Sequence, residues 1–352
     1  MEKLKEIIKK IQSPDPVLMK SAQAKLDDLT KPRGSLGRLE DLAKQMVCIT
    51  GSLSPVVDKK AVLVMAGDHG VVRDGVSAYP QEVTMQMVLN FLSGGAAINV
   101  LARHIGAEVR VVDMGVVAEF EPNPKLLDKK IAKGTNSMTD GPAMENWQAV
   151  RSLEAGIEAA ELMIENGYNI IATGDMGIGN TTASSAITSV ICNIGAEEVT
   201  GYGTGIDKGG LKKKIEAINK AIKVNNPDAG DGIDILSKVG GFEIGGIAGV
   251  VLGCAAHRIP IVIDGFISSA GALIAYIIEP ECVHYMIPSH CSVEKGHRIA
   301  LDHLGLKPLF DFDMRLGEGT GAAIGINITE AAVKILNEMA TFSSAGVSEK
   351  NE

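Results

Sequence analysis

Short runs rich in apolar and β-branched residues alternate with long stretches of helical periodicity along this chain of 352 residues. The short runs, which end in polar or glycine-rich loops, occupy residues 61–66, 108–112, 168–173, 260–263, 284–287 and 309–312. Helical patterns fill most of the intervals, most clearly over residues 84–105, 146–166 and 242–256. Because strands that alternate with helices are joined by right-handed crossovers, the pattern predicts an α/β fold with six parallel strands in one sheet, covered by helices on both faces.

The two ends of the chain have a helical pattern throughout. Residues 2–50 are predicted to form helices separated by turns, and a last helix is predicted over residues 324–341. We expect these terminal helices to pack together as a small helical domain of residues 1–50 and 324–352. The large α/β domain would then comprise residues 51–323.

Composition and charge argue against several classes of protein. Aromatic residues make up only 4% of the chain and the net charge is −9, so we expect no nucleic-acid partner. The five cysteines show no CxxC spacing, which disfavours a disulfide or zinc framework. The longest apolar run, near residues 244–256, is too short and too glycine-rich to span a bilayer, and the chain opens with charged residues. We therefore expect a soluble cytoplasmic protein that does not bind a membrane.

One carboxylate, Glu318, stands between two glycines in the segment 315–322. This segment connects the run 309–312 to the last helix. Glycines permit a close approach of the backbone to a ligand, and ligands of open α/β sheets bind at the carboxyl ends of strands. Glu318 is therefore a candidate general base. A tight turn that carries a solvated acid has the same signature.

Two further glycine-rich loops are candidate anion sites. The first places Gly177 ahead of Asn180 and Thr181 at a predicted helix start, where free N–H groups and the helix dipole favour an anion. Ordinary capping of that helix by Asn180 or Thr181 is the alternative. The second loop includes Gly203 and precedes three lysines at 212–214, of which at most one is expected to bind a phosphate.

A metal site is the main alternative chemistry. Asp68 and His69 follow the first predicted strand, and Asp113 and His290 follow others, so these four side chains could meet at one edge of the sheet. An Asp–His hydrogen bond that stiffens a loop explains the first pair without a metal. Cys291 lies beside His290, but nothing favours a nucleophilic thiol over a buried, inert one.

Six motifs, in order along the chain, resemble those of the nicotinate-nucleotide:dimethylbenzimidazole phosphoribosyltransferase family. They are KPRGSLGRLE at 31–40, AGDHGV at 66–71, GDMGIGNTT at 174–182, GYGTG at 201–205, Ser289-His290 with Gly296-His297, and RLGEGTGA at 315–322. A single motif of this kind can arise by chance, whereas the ordered set is specific.

The resemblance implies that nicotinate mononucleotide gives its 5-phosphoribosyl group to a nitrogen of 5,6-dimethylbenzimidazole. The products are α-ribazole 5′-phosphate and nicotinate, formed with inversion at the anomeric carbon during assembly of the cobalamin nucleotide loop. It implies that Glu318 removes the acceptor proton, a task that suits a desolvated carboxylate. It also gives a catalytic position to Asp175, where we associate the family with glutamate; the shorter side chain keeps the charge and reaches less far.

The resemblance also implies a set of binding residues. For the phosphoribosyl group these are Gly177, Asn180, Thr181, Gly203, Lys214 and Ser292. Lys214 is chosen among the three lysines because the family pattern runs Leu211-x-x-Lys. Met176 and Leu316 would flank the flat base, with Tyr79 and Gln86 on the opposite wall.

The family fold is a Rossmann-like sheet of six parallel strands with a small helical domain from both termini, and it forms homodimers. No metal or cofactor is implied. Two other functions stay open on the residues alone: a metal-dependent hydrolase, and a nucleotide- or benzimidazole-binding module without turnover. Glu318 disfavours the binding module, because a pure binder needs no base. The natural acceptor base also stays open.

Overall fold

A computed structural model describes residues 1–203 and 205–348 of the chain. Residue 204 of the second glycine-rich loop and residues 349–352 of the predicted helical domain lie outside the described residues. The strands are β1 (Lys60–Gly67), β2 (Ala107–Gly115), β3 (Leu126–Asp128), β4 (Ile170–Met176), β5 (Ile261–Ile263) and β6 (Met286–Pro288). They form one parallel sheet in the order β3-β2-β1-β4-β5-β6, so the predicted α/β class and six-stranded Rossmann-like sheet are confirmed.

One predicted strand is wrong and one strand was missed. In the run 309–312, Phe310 forms only an isolated bridge with His290, and its ring stacks on that imidazole at 5.8 Å between centroids, which explains the apolar run. The missed strand is β3, which pairs with β2 at the edge of the sheet. It has three residues and none is fully buried, so it lacks the apolar signature of a central strand.

The helices lie between and beyond the strands. They are α1 (Glu2–Ile8), α2 (Pro16–Asp27), α3 (Arg38–Thr50), α4 (Glu82–Ser93), α5 (Ala97–Ile105), α6 (Asn146–Glu165), α7 (Asn180–Cys192), α8 (Ala196–Val199), α9 (Lys208–Asn225), α10 (Gly232–Val239), α11 (Phe242–Ala256), α12 (Phe266–Ile278), α13 (Lys295–His303), α14 (Thr320–Glu338) and α15 (Phe342–Ala345). Short 3₁₀ helices occupy Gly70–Asp74 and Pro280–Tyr285.

The helix predicted over residues 84–105 is two helices, because Gly94 ends α4 with a left-handed φ of 81°. Among the described residues, the segment Glu82–Ile105 is the one that is long and apolar enough, by length and composition, to cross a membrane. The break divides it into helices of 12 and 9 residues. Each is shorter than the roughly 20 residues that a spanning helix needs.

The strand β1 shows how the sheet is buried on both faces. Leu63 and Met65 join the apolar core under α6, α11 and α12, whereas Val62 and Val64 join the core under α3, α5 and α14. All residues of β1 are buried, as expected for a central parallel strand.

The terminal helices are distributed over both faces of the sheet. α2 packs on α3, and α3 packs on α14, which also contacts the sheet; α1 instead contacts α6 and α11 on the opposite face. An antiparallel bridge between Leu29 and Thr341 ties the two ends of the chain together. The predicted division into a small helical domain and a large α/β domain stays a prediction.

Candidate active site

A cavity of about 640 Å³ opens at the carboxyl ends of β4, β5 and β6. This edge of the sheet borders the point between β1 and β4 where the strand order reverses, which is where open α/β sheets bind ligands. Most of the predicted site residues line the cavity, namely Tyr79, Asp175, Met176, Gly177, Asn180, Thr181, Gly203, Ser292, Leu316 and Glu318. The fold thus brings together side chains from distant parts of the sequence.

Gln86 does not line the cavity and is exposed. Val83 and Met87, which lie one turn apart on the same helix α4, line the wall where Gln86 was expected. Residues four positions apart share a helix face, so the phase of α4 turns Gln86 away. The wall is therefore more apolar than the sequence predicted.

Lys214 is buried behind the cavity wall and does not line the cavity itself. Its Nζ donates a hydrogen bond to Thr181 Oγ1 at 2.8 Å, and Thr181 does line the cavity. Burial lowers the pKa of Lys214 to about 8, and the charge of Glu294 opposes this shift. The neighbouring Lys212 and Lys213 are exposed, so Lys214 is the member of the triple lysine that contacts a residue of the cavity wall.

The loop that carries Glu318 has an unusual backbone. Gly317, Glu318 and Gly319 have φ values of 81°, 64° and 91°, all in the left-handed region. Two of the three positions are glycine, which adopts this region freely, whereas a glutamate there must be held by its surroundings. The close approach of Gly174 helps to hold it: a Cβ at Gly174 would lie 2.5 Å from the carbonyl oxygen of Glu318.

Asp264, which directly follows β5, holds the same loop from the other side. Its Oδ2 accepts a hydrogen bond from the amide of Gly319 at 3.1 Å, and its Oδ1 accepts one from Ala322 at 2.8 Å. Gly319 is the N-cap of α14 and has no side chain to cap the helix, so Asp264 supplies the cap from another strand. Burial raises the pKa of Asp264 to about 7; the amides of Ala322, Gly319 and Gly321 oppose this and the charge of Glu318 adds to it.

Glu318 is buried, with only 6% of the residue exposed. Burial raises its pKa, and the backbone amide of Ile98 lowers it. Within the described part of the chain, its Oε2 has no hydrogen-bond partner. A desolvated, raised-pKa carboxylate with a free acceptor atom at a cavity wall is suited to taking a proton from a bound molecule.

Asp175, at the end of β4, is a second buried acid at this wall. Its Oδ2 accepts a hydrogen bond from Asn180 Nδ2 at 3.0 Å, and its Oδ1 is without a partner among the described residues. Burial raises the pKa of Asp175 well above its usual range, and the nearby charges of Asp264, Glu243 and Glu318 raise it further. Asp175 is therefore suited to donating a hydrogen bond in its neutral form.

The first glycine-rich loop is shaped by close backbone packing. A Cβ at Gly177 would lie 2.3 Å from the carbonyl oxygen of Gly67 at the end of β1. The N-cap of α7 is Gly179, with φ of 98° and no side-chain cap. Neither Asn180 nor Thr181 therefore caps α7, which was the alternative interpretation of this loop. The side chain of Asn180 instead donates to Asp175, and that of Thr181 accepts from Lys214.

The four side chains of the metal alternative have other partners. The imidazole of buried His69 contacts the carboxylate of Glu243, Asp68 accepts from the Val117 amide, and Asp113 accepts from the amides of Gly115 and Val116. No group of three or more His, Cys, Asp or Glu side chains in residues 1–203 and 205–348 is placed to hold a metal ion.

The surroundings of His290 and Cys291 account for both side chains without a catalytic role. The Nδ1 of His290 lies 3.0 Å from Ser289 Oγ, and burial lowers the pKa of His290 to about 4. Burial raises the pKa of the Cys291 thiol. A thiol with a raised pKa is a poor nucleophile, which agrees with the preference for an inert Cys291.

Sequence reasoning missed several residues of the site, which are Val83, Asp264, Glu294 and Arg315. Arg315 and Glu294 both contact the second glycine-rich loop: Arg315 Nη1 donates to the carbonyl of Gly203 at 3.3 Å, and Glu294 accepts from its amide at 3.0 Å. A signal for Asp264 was present, because an acid that directly follows an apolar run occupies a strand end.

The chain is similar to known proteins over almost all of its length. The profile of a phosphoribosyltransferase family matches residues 11–347. A nicotinate-nucleotide–dimethylbenzimidazole phosphoribosyltransferase of Roseiflexus sp. (strain RS-1) is 56% identical over 352 residues, which is 100% of both chains. One of Geotalea uraniireducens (strain Rf4) is 55% identical over 349 residues, which is 99% of both chains.

A solved structure has the same fold. The crystal structure of the nicotinate-nucleotide–dimethylbenzimidazole phosphoribosyltransferase of Thermus thermophilus matches with a TM-score of 0.91 and 45% identity, covering 96% of this chain and 100% of that one. Sequence, fold and cavity therefore agree. The chain belongs to the nicotinate-nucleotide–dimethylbenzimidazole phosphoribosyltransferase family and is an enzyme of the pentosyltransferase type.

Proposed function

We propose that the protein transfers the 5-phosphoribosyl group of nicotinate mononucleotide to 5,6-dimethylbenzimidazole. The products would be α-ribazole 5′-phosphate and nicotinate, in the assembly of the cobalamin nucleotide loop. The names of full-length relatives at 55–56% identity support this reaction. The observation that carries it is buried Glu318, with a carboxylate oxygen that has no partner among the described residues, at the wall of a cavity that the glycine-rich loop before α7 also lines.

Glu318 is proposed as the general base. In the transfer, a benzimidazole nitrogen forms a bond to the anomeric carbon while the bond from that carbon to nicotinate breaks, and the electron pair of the broken bond returns to the pyridine nitrogen. The acceptor must also lose its N–H proton, which Glu318 would take. Nicotinate leaves from a pyridinium and becomes neutral at its nitrogen, so the leaving group needs no strong acid.

The 5′-phosphate is proposed to bind at the two glycine-rich loops. The amides near Gly177 and Gly203, the hydroxyl of Ser292 and the N-terminus of α7 are donors of the kind that bind phosphate. Lys214 would act from behind the wall through Thr181, to which its Nζ already donates.

Asp175 and Asn180 would hold the ribose between the phosphate and Glu318. Asp175 has a free buried oxygen, and its raised pKa suits it to donate a hydrogen bond to a ribose oxygen. Asn180 would keep the Asp175 carboxyl oriented, since the two side chains are hydrogen bonded.

The aromatic acceptor is proposed to bind between Met176 and Leu316 on one side and Tyr79, Val83 and Met87 on the other. These side chains line the same cavity and offer flat apolar contact without a charge. Such walls discriminate by roughly 1–3 kcal/mol for each methyl-sized group, so related benzimidazoles are expected to react as well.

The test of the reaction is a chromatographic assay of the purified protein with nicotinate mononucleotide and 5,6-dimethylbenzimidazole, without added metal. We expect nicotinate and α-ribazole 5′-phosphate in equal amounts. Nicotinate alone would mean that water is the acceptor, and the proposed base pocket would be wrong. If neither product forms, the proposed function is wrong.

The proposal also covers the oligomeric state of the enzyme, its location and its partners. We propose a cytoplasmic homodimer without a nucleic-acid or membrane partner. It is supported by the resemblance and by the acidic net charge of −9. Light scattering coupled to size-exclusion chromatography tests the dimer, and a monomer at assay concentration would contradict it.

A further inference from the structure

A carboxylate lies where the proposed function needs only donors. Glu294, the N-cap residue of α13, is 8% exposed and lines the cavity beside Ser292 and Gly203. Its Oε1 accepts a hydrogen bond from the amide of Gly203 at 3.0 Å, and its own amide donates to Ser292 Oγ at 3.4 Å. Its Oε2 has no hydrogen-bond partner within residues 1–203 and 205–348.

The packing around this carboxylate is close. A Cβ at Gly201 would lie 2.0 Å from Glu294 Oε2, so any side chain at this position would exclude the carboxylate from its place. Glu294 also interacts electrostatically with Lys214: burial lowers the pKa of Lys214, and the negative charge of Glu294 raises it. Glu294 therefore contacts or influences Gly203, Ser292 and Lys214, which are the groups proposed to bind the 5′-phosphate.

We propose that Glu294 and the 5′-phosphate of the substrate compete for the amide of Gly203, so that the phosphate displaces the carboxylate from this amide when it binds. This inference rests on the proposed function, which assigns the Gly203 amide to the phosphate. One N–H donates strongly to one acceptor, and two anions at hydrogen-bond range repel each other. The carboxylate and the phosphate therefore compete for the same position.

The competition lowers the apparent affinity of the subsite for every phosphate-bearing ligand by the same factor. A free anion gains only the contacts of the subsite and must displace the carboxylate with those alone. A phosphate carried on a nucleoside gains further contacts from the ribose and the base, which offset the cost of displacement. Inorganic phosphate is therefore bound weakly in the presence of Glu294, whereas a nucleotide still binds through its other contacts; the ratio of the two affinities does not change.

Two substitutions separate the charge from the hydrogen bond. Glu294→Gln keeps an oxygen that can accept from Gly203 and removes the charge, whereas Glu294→Ala removes both. Glu198→Gln, an exposed acid on α8, is the matched control for the loss of one negative charge. Isothermal titration with inorganic phosphate, at constant ionic strength, is run on these variants and on the wild-type protein.

We expect phosphate to bind more tightly in the order wild type, Glu294→Gln, Glu294→Ala, while Glu198→Gln behaves as wild type. The gain should be about tenfold for Glu294→Ala, which corresponds to a subsite that is free for about one-tenth of the time in the wild-type protein. Phosphate affinity that is unchanged or weaker in both Glu294 variants would overturn the inference, because Glu294 would then only support the loop. Absence of phosphate binding to all four proteins would overturn it too.

Turnover of nicotinate mononucleotide by the wild-type protein is measured in parallel. If no α-ribazole 5′-phosphate forms, the proposed reaction is contradicted, whatever the phosphate titrations give. If product forms and the phosphate affinities do not change, only the role of Glu294 is contradicted.

Discussion

Gly174→Ala should lower kcat, although residue 174 does not line the cavity. Gly174 lies within β4, directly against the loop that carries the proposed base. A Cβ at this position would be 2.5 Å from the carbonyl oxygen and 2.8 Å from the carbonyl carbon of Glu318, and 3.0 Å from the nitrogen of Gly319. All three are backbone atoms, so no flexible side chain can move aside.

The size of the effect follows from these distances. Carbon and oxygen atoms that are not bonded approach to about 3.3 Å, so the strand or the loop must move by roughly 0.8 Å. A misplacement of about 1 Å in a catalytic group can cost roughly 10²-fold in rate. We therefore expect kcat to fall by roughly 10²-fold, KM for nicotinate mononucleotide to change little, and the free energy of unfolding to fall by roughly 1–3 kcal/mol.

The assay is steady-state turnover of the purified variant, with Gly141→Ala as the control. Nothing lies within 4 Å of a Cβ at Gly141, so that change should leave kcat intact. The double variant Gly174→Ala with Glu318→Gln adds a second test, because displacing a carboxylate that is already gone should cost little more. A folded Gly174→Ala protein with the kcat of wild type would refute the reasoning, as would fully additive losses in the double variant.

Two other substitutions test the supports of the site. Asp264→Asn leaves one of two loop amides facing a donor, so the free energy of unfolding near neutral pH should fall by roughly 1–3 kcal/mol in urea titrations. Folding raises the pKa of Asp264 from 3.8 to about 7, so between these pH values the folded protein holds a proton that the unfolded chain releases. The free energy of unfolding of the wild-type protein should therefore fall as the pH rises from about 4 to about 7. In Asp264→Asn this fall should be less steep. An equally steep fall in the variant would contradict the assignment. Lys214→Met should raise KM for nicotinate mononucleotide roughly 10–100-fold and leave kcat nearly unchanged. The control Lys212→Met, at an exposed lysine, should change neither constant. Equal effects of the two substitutions would contradict the choice of Lys214.

The sequence was most informative where backbone chemistry has a local signature. Glycines on both sides of Glu318, and ahead of Asn180, indicated the two loops that line the cavity, because a left-handed or closely packed backbone needs glycine. The strands β1 and β4 were predictable because central parallel strands are continuous apolar runs. These features depend on neighbours in sequence, so the sequence alone indicates them.

The features that sequence analysis missed depend on contacts between distant segments. Asp264 caps a helix that begins far along the chain, and no local pattern indicates that partnership. Gln86 was placed on the wrong side because the phase of α4 is set by its packing on the sheet. The strand β3 was not predicted because a short strand at the edge of a sheet does not need a run of apolar residues.

The most direct test of the central claim is Glu318→Gln, with Asp313→Asn, an exposed acid near the same loop, as the control. Binding of nicotinate mononucleotide is measured by titration calorimetry, and transfer to 5,6-dimethylbenzimidazole by single-turnover chromatography. We predict nearly unchanged binding and a transfer rate lower by roughly 10²–10⁴-fold in Glu318→Gln, with Asp313→Asn like wild type. A Glu318→Gln protein that transfers at the wild-type rate would contradict the claim that this carboxylate is the base.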